Sequence, residues 1–400
     1  MTPIIRRYGW AGMWIALSFG SRAAVGLSIT SLIFAKLAPS QSAGLFQLLF
    51  LQSAFIAFVS ASGFVRGVKH SHEGGDPALH FRRYGLFIAR SAAIAAVASL
   101  IFLPRDYLGV SFAEQLSVCL LLVLGGGATA LSGILQGSVV LLAGKARTFG
   151  CIAGANMIAF VGVALILLAP NPLMATTALF LTQLLSGVAL LIFIPQARAM
   201  VIGSKTKRLE SKGESILLTG LANTASLLAF FAAREYWNDY VSIEDAAFVF
   251  FIVRISDMLL QLLYLVFSST PSLVSLFDSL LNRWKTFAPI LVALGLIGPL
   301  FLSLDVSSPA DRSTMTILVL FELAILLPRA IASMSLVRLL YHDNPVYYIV
   351  TISVSLAVLG GMFLLFPTPG LLTLQLAAWA MALSIIVAAA ISPRLGTERN

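Results

Sequence analysis

The stretch Ala246–Pro271, AAFVFFIVRISDMLLQLLYLVFSSTP, decides the fold. It is apolar for longer than the ~20 residues a helix needs to cross the hydrocarbon core of a bilayer. Yet it carries Arg254, Asp257, Gln261, Tyr264 and Ser268, at steps of three, four, three and four residues. At about 100° per residue those steps put all five side chains on one narrow stripe. An ion at mid-bilayer costs at least about 2.5 kcal/mol, so the stripe faces a bundle interior or a wet cavity rather than lipid. Two readings of it stand side by side. The stripe lines a ligand site, or Arg254 and Asp257 form a structural ion pair that locks helices together.

Working outward, the whole 400-residue chain shares this character. It is 59% hydrophobic and 11% charged, with a mean hydropathy of +0.95. No water-soluble fold of that size is so apolar, so the expected class is an all-α polytopic membrane protein. Apolar runs fall at about 10–36, 43–65, 84–103, 115–142, 149–169 and 173–197, then at about 215–233, 246–271, 286–304, 314–340, 345–366 and 370–391. The first run is too long for a signal-peptide core and has Arg22 at its middle, so it is expected to be retained. A basic segment, Arg198–Glu214 (RAMVIGSKTKRLESKGE), separates six runs from six. The expected organisation is a six-helix N-lobe over residues 1–197, a linker over 198–214 and a six-helix C-lobe over 215–400.

Loop charge sets the orientation. Of the 26 Lys and Arg, eighteen lie on the side of the termini and only Lys36, Arg105, Arg234 and Arg312 on the other. Such a bias places both termini and the linker in the cytoplasm. It also accounts for the net charge of +9 as a topology signal beside anionic lipid, which leaves no role for nucleic acid.

The two halves echo each other. Ala169-Pro170-Asn171-Pro172 is matched by Phe366-Pro367-Thr368-Pro369, 197 residues later. Ile194-Pro195 and Arg198 are answered by Ile391, Pro393 and Arg394; Arg82-Arg83 is answered by Arg283-Trp284-Lys285. Weak points inside helices correspond as well, at Gly125–Gly127 and at Pro328, and the register pairs Gln52 with Arg254. Six helices separate the copies, an even number, so the halves form a parallel repeat with a central cavity expected between them.

No catalytic constellation is present, and no Gly-rich phosphate loop of the nucleotide-binding kind. Cys119 and Cys151 lie in apolar runs, and His70, His72, His80 and His342 are read as loop residues without ligand spacing, so neither a metal nor a cofactor is expected. Inside the spans the balance is cationic, with Arg22, Arg90, Arg254 and Arg329 against Asp257 and Glu322. Arg90 is near enough to the cytoplasmic face to snorkel. Guanidinium groups stay charged when buried and grip phosphate with two parallel hydrogen bonds. Arg22, Arg254 and Arg329 are therefore candidates for an anionic substrate such as a pyrophosphate head group, and Asp257 and Glu322 for a coupling proton or ion. Ser18, Ser21, Gly26 and Thr30 leave a small, polar face beside Arg22. The rival reading pairs Arg22 with Asp257 or Glu322 to hold the lobes together.

Two segments carry a family resemblance. Leu37–His70, LAPSQSAGLFQLLFLQSAFIAFVSASGFVRGVKH, looks like the turn and second helix of Wzx-type polysaccharide flippases. Ala232–Leu276 resembles the helix seven–eight region of lipid-linked oligosaccharide flippases, including those for O-antigen units. These belong to the multidrug/oligosaccharidyl-lipid/polysaccharide exporter superfamily, and length and helix count agree over nearly the whole chain. The resemblance implies a flippase that moves an undecaprenyl-diphosphate-linked oligosaccharide across the bacterial inner membrane. That step would serve O-antigen, capsule or exopolysaccharide biosynthesis, with a polymerase and a chain-length regulator as pathway partners. It places the family's basic cavity residues on Arg22, Arg234 and Arg254. The alternatives are a cation-coupled multidrug exporter of the same superfamily, which favours an acidic cavity, and a membrane polysaccharide polymerase, which would want a long external loop.

Overall fold

A computed structural model describes residues 3–56, 77–102, 107–140, 142–202, 214–268, 271–281, 283–302, 312–341 and 345–392. The described residues form helices joined by turns, and helix occupies each of the twelve apolar runs. The N-terminal half holds α1 (Pro3–Lys36), α2 (Pro39–Ile56), α3 (Pro77–Phe102), α4 (Phe112–Val139), α5 (Lys145–Ile158), α6 (Val161–Leu168), α7 (Pro172–Phe193) and α8 (Pro195–Ile202). In the C-terminal half follow α9 (Glu214–Asn238), α10 (Ile243–Ser268), α11 (Pro271–Leu281), α12 (Trp284–Leu302), α13 (Arg312–Tyr341), α14 (Val346–Leu365) and α15 (Thr373–Ile391). Among the described residues, seven helices are long and apolar enough to cross a membrane by length and composition. Large apolar side chains face outward along them, Leu364 being 84% exposed, which suits hydrocarbon and not water.

The chain divides into two compact units, Met1–Ser211 and Lys212–Asn400. The segment read as a linker from Arg198 begins inside α8, whose Ala197 and Met200 are buried against Leu190 and Ile194 of the N-terminal unit. Residues 203–213 of that segment lie outside the described residues.

Local chemistry explains where the spans start. Ser111 caps α4, its hydroxyl accepting from the Glu114 N–H at 3.3 Å. Asn171 caps α7 in the same way, accepting from the Met174 N–H at 2.8 Å, with Pro172 already set for the first helical turn. At the start of α10, Ser242 accepts from the Asp245 N–H at 3.2 Å and donates to its carboxylate at 2.7 Å. Each cap satisfies a donor that a helix end leaves orphaned. The fifth apolar run is broken at Ala159–Phe160 into α5 and α6. Beyond the break, a Cβ on Gly162 would stand 3.1 Å from the Ala178 backbone, so glycine is what lets α6 lie against α7.

The two Pro-x-Pro turns that mark the repeat are finished differently. Where Asn171 caps α7, the later turn is held from outside. Tyr236 donates to the Pro367 carbonyl at 2.8 Å and the Trp237 indole to the Gly370 carbonyl at 2.9 Å. His80 sits on α3 rather than in a loop, while His70, His72 and His342 lie outside the described residues.

Candidate functional site

The stripe on α10 is a stripe of one continuous helix, and its charged members turn inward. Arg254 and Asp257 are half-buried, whereas Leu259 and Leu263 on the opposite side are exposed. The side chains of Gln261 and Ser268 lie outside the described residues. Asp257 does not pair with Arg254 one turn away. Its partner is Arg329 of α13, whose Nη2 contacts Asp257 Oδ1 while Nη1 reaches Glu322 Oε1 at 2.6 Å. One guanidinium therefore bridges two carboxylates on two helices.

The geometry follows from the sequence of α13. Glu322 and Arg329 are seven residues apart, two turns, and so share a face. Helical side chains lean toward the N-terminus, which carries Arg329 back toward Glu322. Pro328 lies inside the helix just before it and removes one backbone donor from the ladder. Ser333 donates back to the Arg329 carbonyl at 2.9 Å. Glu322 is only 1% exposed and its second oxygen, Oε2, has no hydrogen-bond partner.

Arg234 is a correction to the loop count. It lies within α9, only 3% exposed, not in an external loop. Its guanidinium carbon sits 5.3 Å from the Phe230 ring centre and 5.4 Å from that of Phe250. Two aromatic faces thus supply the favourable field that a buried cation needs. Arg234 is close enough to Arg254, Asp257, Glu322 and Arg329 for each to act on it electrostatically. The C-terminal unit accordingly gathers five of the six site candidates, three cationic and two anionic.

The sixth candidate, Arg22, belongs to the N-terminal unit, half-buried on α1. The polar face around it is spoken for. Asn156 of α5 donates to the Ser18 carbonyl at 3.0 Å and to the Ser21 hydroxyl at 3.2 Å, and Ser18 and Thr30 are buried. Ser18 and Ser21 therefore join α1 to α5 rather than leaving room for a ligand. Gly125 also gains a specific reason. A Cβ there would fall 2.0 Å from Gln183 Oε1. That space holds a reciprocal amide pair, with Gln52 and Gln183 each donating to the other at 3.1 Å, and Gln52 also donating to the Leu122 carbonyl at 2.6 Å.

One buried ion pair escaped the reading of the sequence. Arg338, counted with the cytoplasmic loops, is fully buried in the last turn of α13 and pairs with Asp278 of α11. It also donates to the Ala389 carbonyl and the Ser392 hydroxyl, both at 2.6 Å. The cation thereby closes the C-terminus of α15, where free carbonyls favour positive charge. The available signal was Asp278 itself, alone among Val274, Leu276, Phe277, Leu280 and Leu281 on a short amphipathic helix. Among the described residues no cluster has the ligands to hold a metal ion.

No protein-family model matches the sequence, and no curated protein does either. Solved structures do match. An outward-facing multidrug resistance MATE family transporter of the MOP superfamily aligns with a TM-score of 0.55 at 12% identity, over 94% of this chain and 92% of its own. A MOP superfamily transporter from Pyrococcus furiosus, described as having a binding pocket of reversed polarity, aligns at 0.58 and 12% identity, over 95% and 92%. A MATE transporter of Vibrio cholerae gives 0.58 and 13%, over 95% and 93%. At that identity the likeness speaks for the fold. The chain has the all-α, two-lobe, twelve-span fold of MOP-superfamily transporters, to which the MATE proteins belong.

Proposed function

We propose that the chain is a secondary transporter that works by alternating access, and that its substrate carries negative charge. The observation that carries this reading is the charge balance around Arg329, three guanidinium groups against two carboxylates in the C-terminal unit, with Arg234 and Glu322 buried. Both carboxylates are engaged by Arg329, which leaves the acidic lining of a cation site largely neutralised. A diphosphate head group suits the excess positive charge, because guanidinium binds its oxygens two at a time. In the finer form of the proposal the substrate is an undecaprenyl-diphosphate-linked oligosaccharide, moved across the bacterial inner membrane. Arg234 and Arg254 would meet the phosphates, while Arg329 holds the carboxylates. Asp257 or Glu322 would carry the coupling proton or ion. Both termini and the 198–214 segment would face the cytoplasm, as the loop charges indicate.

A second reading, the cation-coupled multidrug exporter, is favoured by the comparisons. Several of the matched structures are MATE multidrug transporters, and those reported above include no oligosaccharide flippase. The Pyrococcus protein supports a substrate outside the multidrug class from the other side, because its reversed pocket polarity is described as suggesting a different function.

Proteoliposomes separate the two. The expected result is movement of a fluorescent polyprenyl-diphosphate oligosaccharide by the wild type, lost in Arg254→Gln at equal protein incorporation and only partly restored by Arg254→Lys. Gradient-driven ethidium transport without movement of the diphosphate lipid would decide for the exporter. Wild-type movement of the lipid by Arg254→Gln would remove that arginine from the site.

A further inference from the structure

The N-terminal unit has a groove of about 870 Å³ between α1, α5 and α7 that plays no part in the charged cluster. Small residues keep it open. A Cβ on Gly154 would meet nothing within 4 Å, and one on Gly150 would only touch the Trp14 ring at 3.5 Å. The lining is apolar apart from one charged side chain, Arg147, in the first turn of α5. Arg147 donates from Nη2 to the Phe193 carbonyl at 3.0 Å. A guanidinium has five N–H donors, so most remain for a ligand at the groove's mouth.

We propose that this groove binds an acyl chain of an anionic bilayer phospholipid, with the lipid phosphate on Arg147. Charge complementarity selects the occupant. An apolar wall would leave the hydroxyls of a sugar or the amides of a peptide without partners, but it suits a hydrocarbon chain. The single cation stands at one end, as a head group requires, with Lys145 opening the same helix. Trp14 shares that end, and an indole with one apolar and one polar side belongs at the membrane–water boundary. Lys145 and Arg147 are also on the side where the chain concentrates its Lys and Arg, the side on which basic pockets between membrane helices hold anionic head groups. The inference does not depend on which substrate the transporter carries.

Cys151 gives the site a reporter, since its thiol lines the groove while the other cysteine, Cys119, is buried. In a Cys119→Ala background, maleimide labelling of Cys151 is followed in mixed micelles of dioleoyl phosphatidylglycerol or dioleoyl phosphatidylcholine. Phosphatidylglycerol should slow labelling roughly five-fold more than phosphatidylcholine, the advantage expected of one basic contact. Arg147→Gln should erase the difference between the lipids. Gly154→Phe, which fills open space, should lower the phosphatidylglycerol retained in native mass spectrometry; if it does not fold, Arg147→Gln carries the test. Equal protection by both lipids in the wild type, or a preference that survives Arg147→Gln, overturns the proposal. Protection by undecaprenyl phosphate but not by phosphatidylglycerol would assign the groove to a lipid-linked substrate instead. Protection that rises with protein concentration alone would assign it to a second copy of the chain.

Discussion

Within each of the two units, helices are tied to one another by different chemistry. In the N-terminal unit Gln52 and Gln183 exchange two neutral hydrogen bonds across a helix thinned at Gly125. In the C-terminal unit Arg329 bridges Asp257 and Glu322, and Arg338 joins Asp278 to the end of α15. Neutral ties are cheap to build and cheap to lose; interhelical hydrogen bonds in membranes couple by about 0.6 kcal/mol on average. Ion pairs are the reverse. Each charge depends on its partner, because removing one partner strands the other in a low-dielectric interior at about 3–5 kcal/mol.

The sharpest way to break this contrast is Arg329→Ala. It strands two carboxylates and should cost about 3–5 kcal/mol or more, seen as loss of the monodisperse peak in detergent. Arg329→Met combined with Asp257→Asn and Glu322→Gln should recover the folded protein but not transport. Recovery of both would make the bridge purely architectural.

Arg338→Met should come next, at about 3 kcal/mol, because it strands Asp278 and uncaps α15 together. Here a paired Asp278→Asn should restore much of the thermal stability in detergent while the carbonyls of α15 stay uncapped. A single substitution as stable as wild type would show that water reaches this pair.

In the N-terminal unit the largest effect should come from the space and not from the bond. Gly125→Ala drives a methyl into Gln183 and should lower stability by about 1–3 kcal/mol. Gly127→Ala is its control, since the nearest atoms to a Cβ there are 3.9 Å away. It should stay within about 0.5 kcal/mol of wild type.

Smallest of all, Gln52→Leu should cost about 1 kcal/mol, and the double change with Gln183→Leu should return close to wild type. Thermal unfolding of the four proteins closes the cycle. A coupling as large as that of the charged bridge would erase the distinction between the units.

Much of this architecture was legible one residue at a time. Long apolar runs can only be spans, because backbone polar groups in hydrocarbon must be satisfied within the helix. The stripe on α10 was legible for the same reason, since a charge cannot face lipid and helical periodicity then assigns its side. Inward placement of Arg254 and Asp257 follows from the sequence alone. Partner choice did not follow. Asp257 had Arg254 one turn away and Arg329 on another helix, 72 residues later, and periodicity is silent about which helix packs beside which. Arg234 and Arg338 were misread as loop cations because they stand near the ends of apolar runs. There a cation reads as exposed unless rings or carbonyls from distant segments enclose it. What only the tertiary structure decided is which buried groups meet, since each meeting requires two helices whose adjacency is a property of the packed unit.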